Sequence, residues 1–201
     1  MSEPAVVGCD VKFVLRSGGA ELVRVTVSGH PGSGTSTLVT NLCGKLNWSN
    51  VNGGDIFREE AARRGVTLED FSELCLSNKE VDRELDAELK RRMLLDGGPE
   101  VVESRLAGWW AYKLELSCAR VWIDVSEEER AKRVVNREGG TIDGQRSKII
   151  QRMDADSERY SALYGINLDS LEPYDCIIEG DNLSPESVLS VVLTHLEEFD
   201  E

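Results

Sequence analysis

Residues 22–38 read LVRVTVSGHPGSGTSTL, and this stretch decides the fold. An apolar run (Leu22, Val23, Val25, Val27) stops at a glycine-rich turn. Amphipathic sequence follows (Ser36, Thr37, Leu38, Val39, Leu42, Leu46), with apolar residues about four apart. That succession reads as strand, loop and helix. The loop, Gly29-His30-Pro31-Gly32-Ser33-Gly34-Thr35-Ser36, matches the phosphate-binding pattern G-x-x-x-x-G-K-[ST] at every fixed position but one. Its glycines let backbone N–H groups turn inward as an anion nest. The helix N-terminus adds partial positive charge at the same point. Gly29, Gly32, Ser33, Gly34, Thr35, Ser36 and Thr37 are therefore the candidate nucleotide-phosphate ligands, with Ser36 where a Mg²⁺-binding hydroxyl is expected. Thr35 takes the slot of the lysine that ordinarily reaches the outer phosphates; it keeps a hydroxyl and brings no charge. A turn that binds nothing would need neither the strand before it nor the helix after it.

At 201 residues the chain is one domain, or one core with small insertions. Residues 1–21 read as an N-terminal extension, with SGG the turn of a potential hairpin, and 22–201 as the domain itself. No apolar run reaches membrane-spanning length, and the start lacks a basic-then-apolar signal pattern. The five cysteines are scattered and never in CxxC spacing, so they read as reduced thiols of a cytoplasmic protein. Two isolated histidines do not make a metal cluster. A net charge of −14 argues against a nucleic-acid surface. The basic side is arginine-rich, 16 Arg against 7 Lys, and arginine is the better bidentate clamp for phosphate. Solvated ion pairs account equally well for any single arginine.

Further along, Trp48–Asn52 reads as a second strand. Asp55 caps a helix to about Arg64, closed by Gly65. Thr67-Leu68-Glu69-Asp70 opens a second helix, and Asn78 caps a third over about 79–95, with Val81, Leu85, Leu89 and Met93 four apart. Residues 55–96 are thus a helical insertion. Val101–Glu103 and Val121–Val125 are further strands, with a turn at 104–110 after the first. Ser126 and Glu129 form a capping box for a helix to about Glu138. A glycine-bearing loop at 139–146 precedes a helix of about 145–164. Cys176–Glu179 is the fifth strand, and Ser184-Pro185 opens the last helix before an acidic tail (Glu197, Glu198, Asp200, Glu201). Strands alternating with helices imply an α/β fold with a doubly wound, five-stranded parallel sheet. Ligands gather at the carboxyl ends of such strands, so the glycine loop, Asp55 and Arg58, Glu103 and Arg105, and the start of the 127–138 helix should share one crevice.

Phosphoryl transfer between nucleotides needs charge neutralisation and alignment more than it needs a base. Arg58 and Arg105 suit an acceptor phosphate, and Arg130, Arg133 and Arg137 occupy one stretch of helix leading into the 139–146 loop. Arg152, Asp156 and Arg159 fall at i, i+4 and i+7, on one helix face. That face is either an ion-pair ladder or a ligand wall, and spacing alone does not choose. Glu103 is the first candidate for the Mg²⁺–water shell and Asp124 the second. Trp109 and Trp110 are candidates for base stacking or for the core.

GHPGSGTST, GGDIFR, VVESRLAGW, SEEERAKR and RMDADSERY, in that order, resemble the cytidylate kinases, above all their short-lid archaeal branch. The likeness spans roughly residues 22–196 and implies a P-loop kinase fold, ATP with Mg²⁺ and a nucleoside monophosphate acceptor. It implies Arg58 and Arg105 at the acceptor phosphate, with Asp55 beside them. Asp156 would lie at the acceptor sugar and Arg159 near the base. Arg133 and Arg137 would contact the donor triphosphate, with Arg152 and Arg159 completing the catalytic set. Residues 55–96 would be the acceptor-binding arm and 139–146 a short lid. Ser104 departs from the family's usual glycine. Thr35 is common in this branch, so it does not mark a dead site. CMP or dCMP is the expected acceptor, with AMP or UMP on the same scaffold as the alternative. A phosphate-loop protein that binds nucleotide without transfer, or a kinase for a non-nucleotide acceptor, also stays open. A monomer, without nucleic-acid or membrane partners, is expected.

Overall fold

The computed structural model describes residues 23–200. The expected N-terminal extension, with its SGG turn, and Glu201 lie outside them. Five strands, β1 (Val25–Gly29), β2 (Asn50–Asn52), β3 (Val101–Glu103), β4 (Ala119–Asp124) and β5 (Cys176–Glu179), pair in parallel in the order β2-β3-β1-β4-β5. Helices α1 (Thr35–Leu46), α2 (Gly53–Arg64), α3 (Leu68–Ser77), α4 (Lys79–Met93), α5 (Ala107–Lys113), α6 (Glu127–Glu138), α7 (Ile142–Tyr164) and α8 (Pro185–Asp200) connect and cover them.

The central strand is buried along its whole length, as both faces of a parallel sheet must be. Its residues alternate between two cores. Val25 and Val27 pack with Leu38 and Leu42 of α1 and Val192 of α8. On the other side Val51, Val102, Leu106, Trp109, Trp110 and Tyr160 form a second core. Ser28 is buried and its Oγ donates to the Ser104 carbonyl at 2.9 Å, which fixes β1 against the turn after β3. The insertion has a small core of its own around Ala61, Phe71, Cys75 and Val81. Ala131, Val134 and Ile149 pack α6 against α7. The sheet thus carries two helical arms, one on each side of the strand ends.

Several local readings change. The cap of α2 is Asn52, whose Oδ1 accepts the Asp55 N–H at 2.8 Å; Asp55 sits inside the first turn. The 104–110 segment runs into helix α5, whose Trp109 and Trp110 are 8% and 4% exposed, so both indoles belong to the core. The 139–146 loop shrinks to three residues, because Thr141 caps α7 by accepting the Gly144 N–H at 3.1 Å. Glycine costs a long helix only about 1 kcal/mol, too little to delay its start. The acidic end is helical to Asp200, since Leu196 and Phe199 still pack on the sheet side. Cys43, Cys75, Cys118 and Cys176 are free thiols, and burial pushes Cys118 and Cys176 up to about 12. Among the described residues no helix is long and apolar enough to cross a membrane.

Gly108 lets α5 lie against Tyr174: a Cβ there would stand 2.3 Å from the buried ring. Gly108→Ala is expected to destabilise the fold by about 1–3 kcal/mol, the usual cost of overpacking, read as a lowered denaturation midpoint with unchanged secondary structure.

Candidate active site

The phosphate loop is held tightly at its base. A Cβ on Gly29 would lie 2.4 Å from Ser33 Oγ and 2.9 Å from the Ile123 carbonyl. Gly34, the N-cap of α1, has φ +97°, a left-handed value that other residues rarely adopt. Two α6 arginines grip the loop from behind. Arg130, 4% exposed, donates from Nε to the Val125 carbonyl at 3.0 Å and from Nη1 to the Pro31 carbonyl at 3.5 Å. Arg133 donates from Nη1 to the Ser33 carbonyl at 3.0 Å and from Nη2 to the Gly180 carbonyl at 2.6 Å. With carbonyls satisfied on that side, the unpaired amides of the first turn of α1 are left to face a ligand.

Three of the expected residues lie off the cavity wall. Arg133 does not line the cavity; its donors are committed to carbonyls and to Glu129, so it supports the loop. The Ser33 side chain is 2% exposed, inside the loop's base, with Oγ unpartnered among the described residues. Asp124 is exposed and off the cavity, because β4 ends beyond the loop.

One cavity of about 820 Å³ joins the loop to the two arms. At its floor Ser36 Oγ donates to Glu103 Oε1 at 2.7 Å, across the carboxyl ends of β1 and β3. Beside them Arg105, mostly buried, donates from Nη1 to the Gly29 carbonyl at 2.6 Å and from Nε to Asp156 Oδ2 at 3.0 Å. Burial weakens the hold of Arg105 on its proton, Asp156 offsets this, and Arg152 adds to it. Arg159 donates from Nη2 to Asp156 Oδ1 at 3.0 Å and from Nη1 to Asp82 Oδ1 at 3.4 Å. Asp156 therefore joins two cavity arginines. Arg58 lines the cavity and pairs with Asp55 at 2.5 Å. Asp55 itself does not; it lines a smaller hollow behind β2 and reaches the site only through Arg58.

Arg137 and Arg152 also line the cavity. Arg137 pairs only with its neighbour Glu138, and Arg152 makes no ion pair among the described residues. Three charged lining residues were not singled out as site candidates from the sequence. Lys148 lies one turn before Arg152 and is likewise unpaired; its spacing to Arg152, Asp156 and Arg159 was the available signal. Asp82 and Asp86, one turn apart on α4, were hidden in a strongly charged helix.

A glycine loop at the carboxyl edge of a five-stranded parallel sheet, faced by two helical arms that carry cavity arginines, defines a P-loop kinase. In solved structures the same fold recurs in a shikimate kinase from Bacteroides thetaiotaomicron (TM-score 0.55, 18% identity, covering 90% of this chain and 99% of that one). It recurs also in a gluconokinase from Sinorhizobium meliloti (TM-score 0.57, 15% identity, 90% and 94%). A protein-family profile described as an AAA domain matches residues 28–150. Two similar curated proteins are the cytidylate kinases of Pyrococcus furiosus (37% identical, covering 88% of this chain and 89% of that one) and Haloarcula marismortui (37%, 87% and 90%). The chain belongs to the cytidylate kinase family.

Burial raises the Asp86 carboxyl above its ordinary range, and the Tyr164 hydroxyl, donating at 2.7 Å, partly offsets this. A carboxyl whose folded pKa is raised contributes stability below its unfolded pKa and loses it as pH rises through the folded one. Asp86→Asn keeps an acceptor for Tyr164 and removes the charge. It should melt at or above the wild-type temperature near neutral pH, with the difference shrinking as pH falls toward about 4. Thermal unfolding across that range checks it.

Proposed function

We propose that this protein transfers the γ-phosphoryl group of ATP, with Mg²⁺, to CMP or dCMP. The observation that carries this reading is the single cavity in which amides at the start of α1 and a second set of cations, Arg58 and Arg105, face one another. Such an arrangement suits two phosphorylated ligands rather than one, and the family relationship supplies the nature of the acceptor.

In this reading the α1 amides and the Thr35 hydroxyl hold the donor phosphates. Arg105, fixed by Gly29 and Asp156, and Arg58, fixed by Asp55, hold the acceptor phosphate so that its oxygen points along the donor's β–γ axis. That oxygen bonds to the γ-phosphorus as the bond to the bridging oxygen breaks, leaving ADP and the diphosphate. The acceptor phosphate needs no base, so alignment and charge neutralisation carry the rate. Arg137, Lys148 and Arg152 supply the positive charge that Thr35 does not. They come from the two helices of the α6–α7 arm, which would close over the ligands as a lid. Ser36 Oγ and Glu103 suit Mg²⁺: both are hard oxygen ligands, already within hydrogen-bonding distance of each other. Among the described residues no group of three or more His, Cys, Asp or Glu makes a metal cage, so the ion would arrive with the nucleotide. When bound it would neutralise charge between the donor phosphates.

Incubation with ATP and Mg²⁺ over a panel of CMP, dCMP, UMP, AMP and GMP should give diphosphate from the cytosine nucleotides, and chelation should abolish it. ATP binding without turnover on any monophosphate would overturn the reading. Arg152→Ala and Arg137→Ala should each lower kcat/KM for CMP by about 10²–10³-fold, the usual loss for one charge-stabilising group. Their melting temperatures should stay close to wild type, since neither guanidinium supports the fold.

A further inference from the structure

The transfer step leaves two cavity carboxylates unused. Asp82 and Asp86 project from α4 one turn apart, where Ile56, Phe57, Leu68, Leu85 and Leu89 supply apolar walls. Apolar walls with a few placed polar groups are what a planar heterocycle requires. An ionised carboxylate only accepts hydrogen bonds, so these two cannot serve a phosphate, and any ligand group they meet must bring N–H. The chain itself leaves them undersupplied. Asp86 receives one donor, the Tyr164 hydroxyl, and Asp82 one long contact from Arg159 at 3.4 Å. In each, one oxygen has no donor among the described residues, whereas both oxygens of Asp156 are taken. Burial raises both carboxyls, so each gains from a further donor, and holding them there costs stability that no contact among the described residues explains.

Resting on the proposed reading of the site, we infer that Asp82 and Asp86 read the exocyclic amino group of the acceptor base and so discriminate cytosine from uracil. Cytosine presents that amino group as a donor beside its ring acceptor; uracil presents a carbonyl oxygen at the same place, which would meet carboxylate oxygen. A site built around a hydrogen bond rejects the analogue that lacks the donor far more strongly than an apolar pocket rejects a difference in size.

The test measures kcat/KM for CMP and for UMP in the wild-type protein, Asp82→Asn and Asp86→Asn, with melting temperatures alongside. An asparagine can turn its amide to offer either oxygen or N–H, so each variant loses the preference without losing volume. The CMP-to-UMP ratio is expected to fall at least about tenfold in each, through the KM of the monophosphate, with the KM for ATP unchanged. A merely structural role would lower both nucleotides together. If one variant melts below the assay temperature, the other decides. Wild-type turnover of CMP with a ratio unmoved in the folded variants overturns the inference alone. A wild type that phosphorylates CMP and UMP equally overturns it too, and a wild type inactive on CMP overturns the functional reading on which it rests.

Discussion

One buried guanidinium ties the central strand to the long helix of the α6–α7 arm. Arg105 holds the Gly29 carbonyl at the end of β1 and Asp156 in the middle of α7, and Asp156 passes the link through Arg159 to Asp82 on α4. The chain of charges runs from the base of the phosphate loop to the wall of the insertion. A buried pair of this kind adds little net stability against apolar packing, but removing one partner leaves the other charge stranded. Its value here is geometric, because it sets the distance between the two arms and the loop.

The same economy governs the loop. Arg130 and Arg133 occupy carbonyl oxygens from behind, so the polarity of the peptide groups is sorted: oxygens toward fixed cations, amides toward the cavity. The missing lysine is then less costly than the loop sequence suggests. Arg137, Lys148 and Arg152 face the cavity from the α6–α7 arm, and the last two have no anionic partner among the described residues. Like charges lining one cavity favour an arriving polyanion.

The acidic balance of the protein acquires a place in this scheme. Several of its carboxylates pair with surface arginines along their own helices, as Glu60 does with Arg63 and Arg64, and such pairs contribute little. The α4 carboxylates differ because they are buried at the cavity wall. One cavity thus holds both signs of charge, cations beside the phosphate loop and carboxylates on the α4 wall.

The sequence by itself determined the fold class, the order of the strands and of every helix but α5, most caps and the phosphate loop. These follow from local rules: apolar periodicity, glycine and proline placement, and side chains that bond their own backbone. Arg58, Arg105, Arg152, Asp156 and Arg159, which the sequence singled out, line one cavity. Only the tertiary structure decided which way each side chain faces. Arg133 and Arg137 are one helical turn apart on α6, yet the first is fixed to carbonyls beneath the loop and the second opens into the cavity. Asp55 falls behind β2, while its partner Arg58 reaches the front. Lys148, Asp82 and Asp86 looked like ordinary charges on charged helices. They become site residues because of how α4 and α7 pack against the sheet, and that packing is set by contacts far apart in sequence.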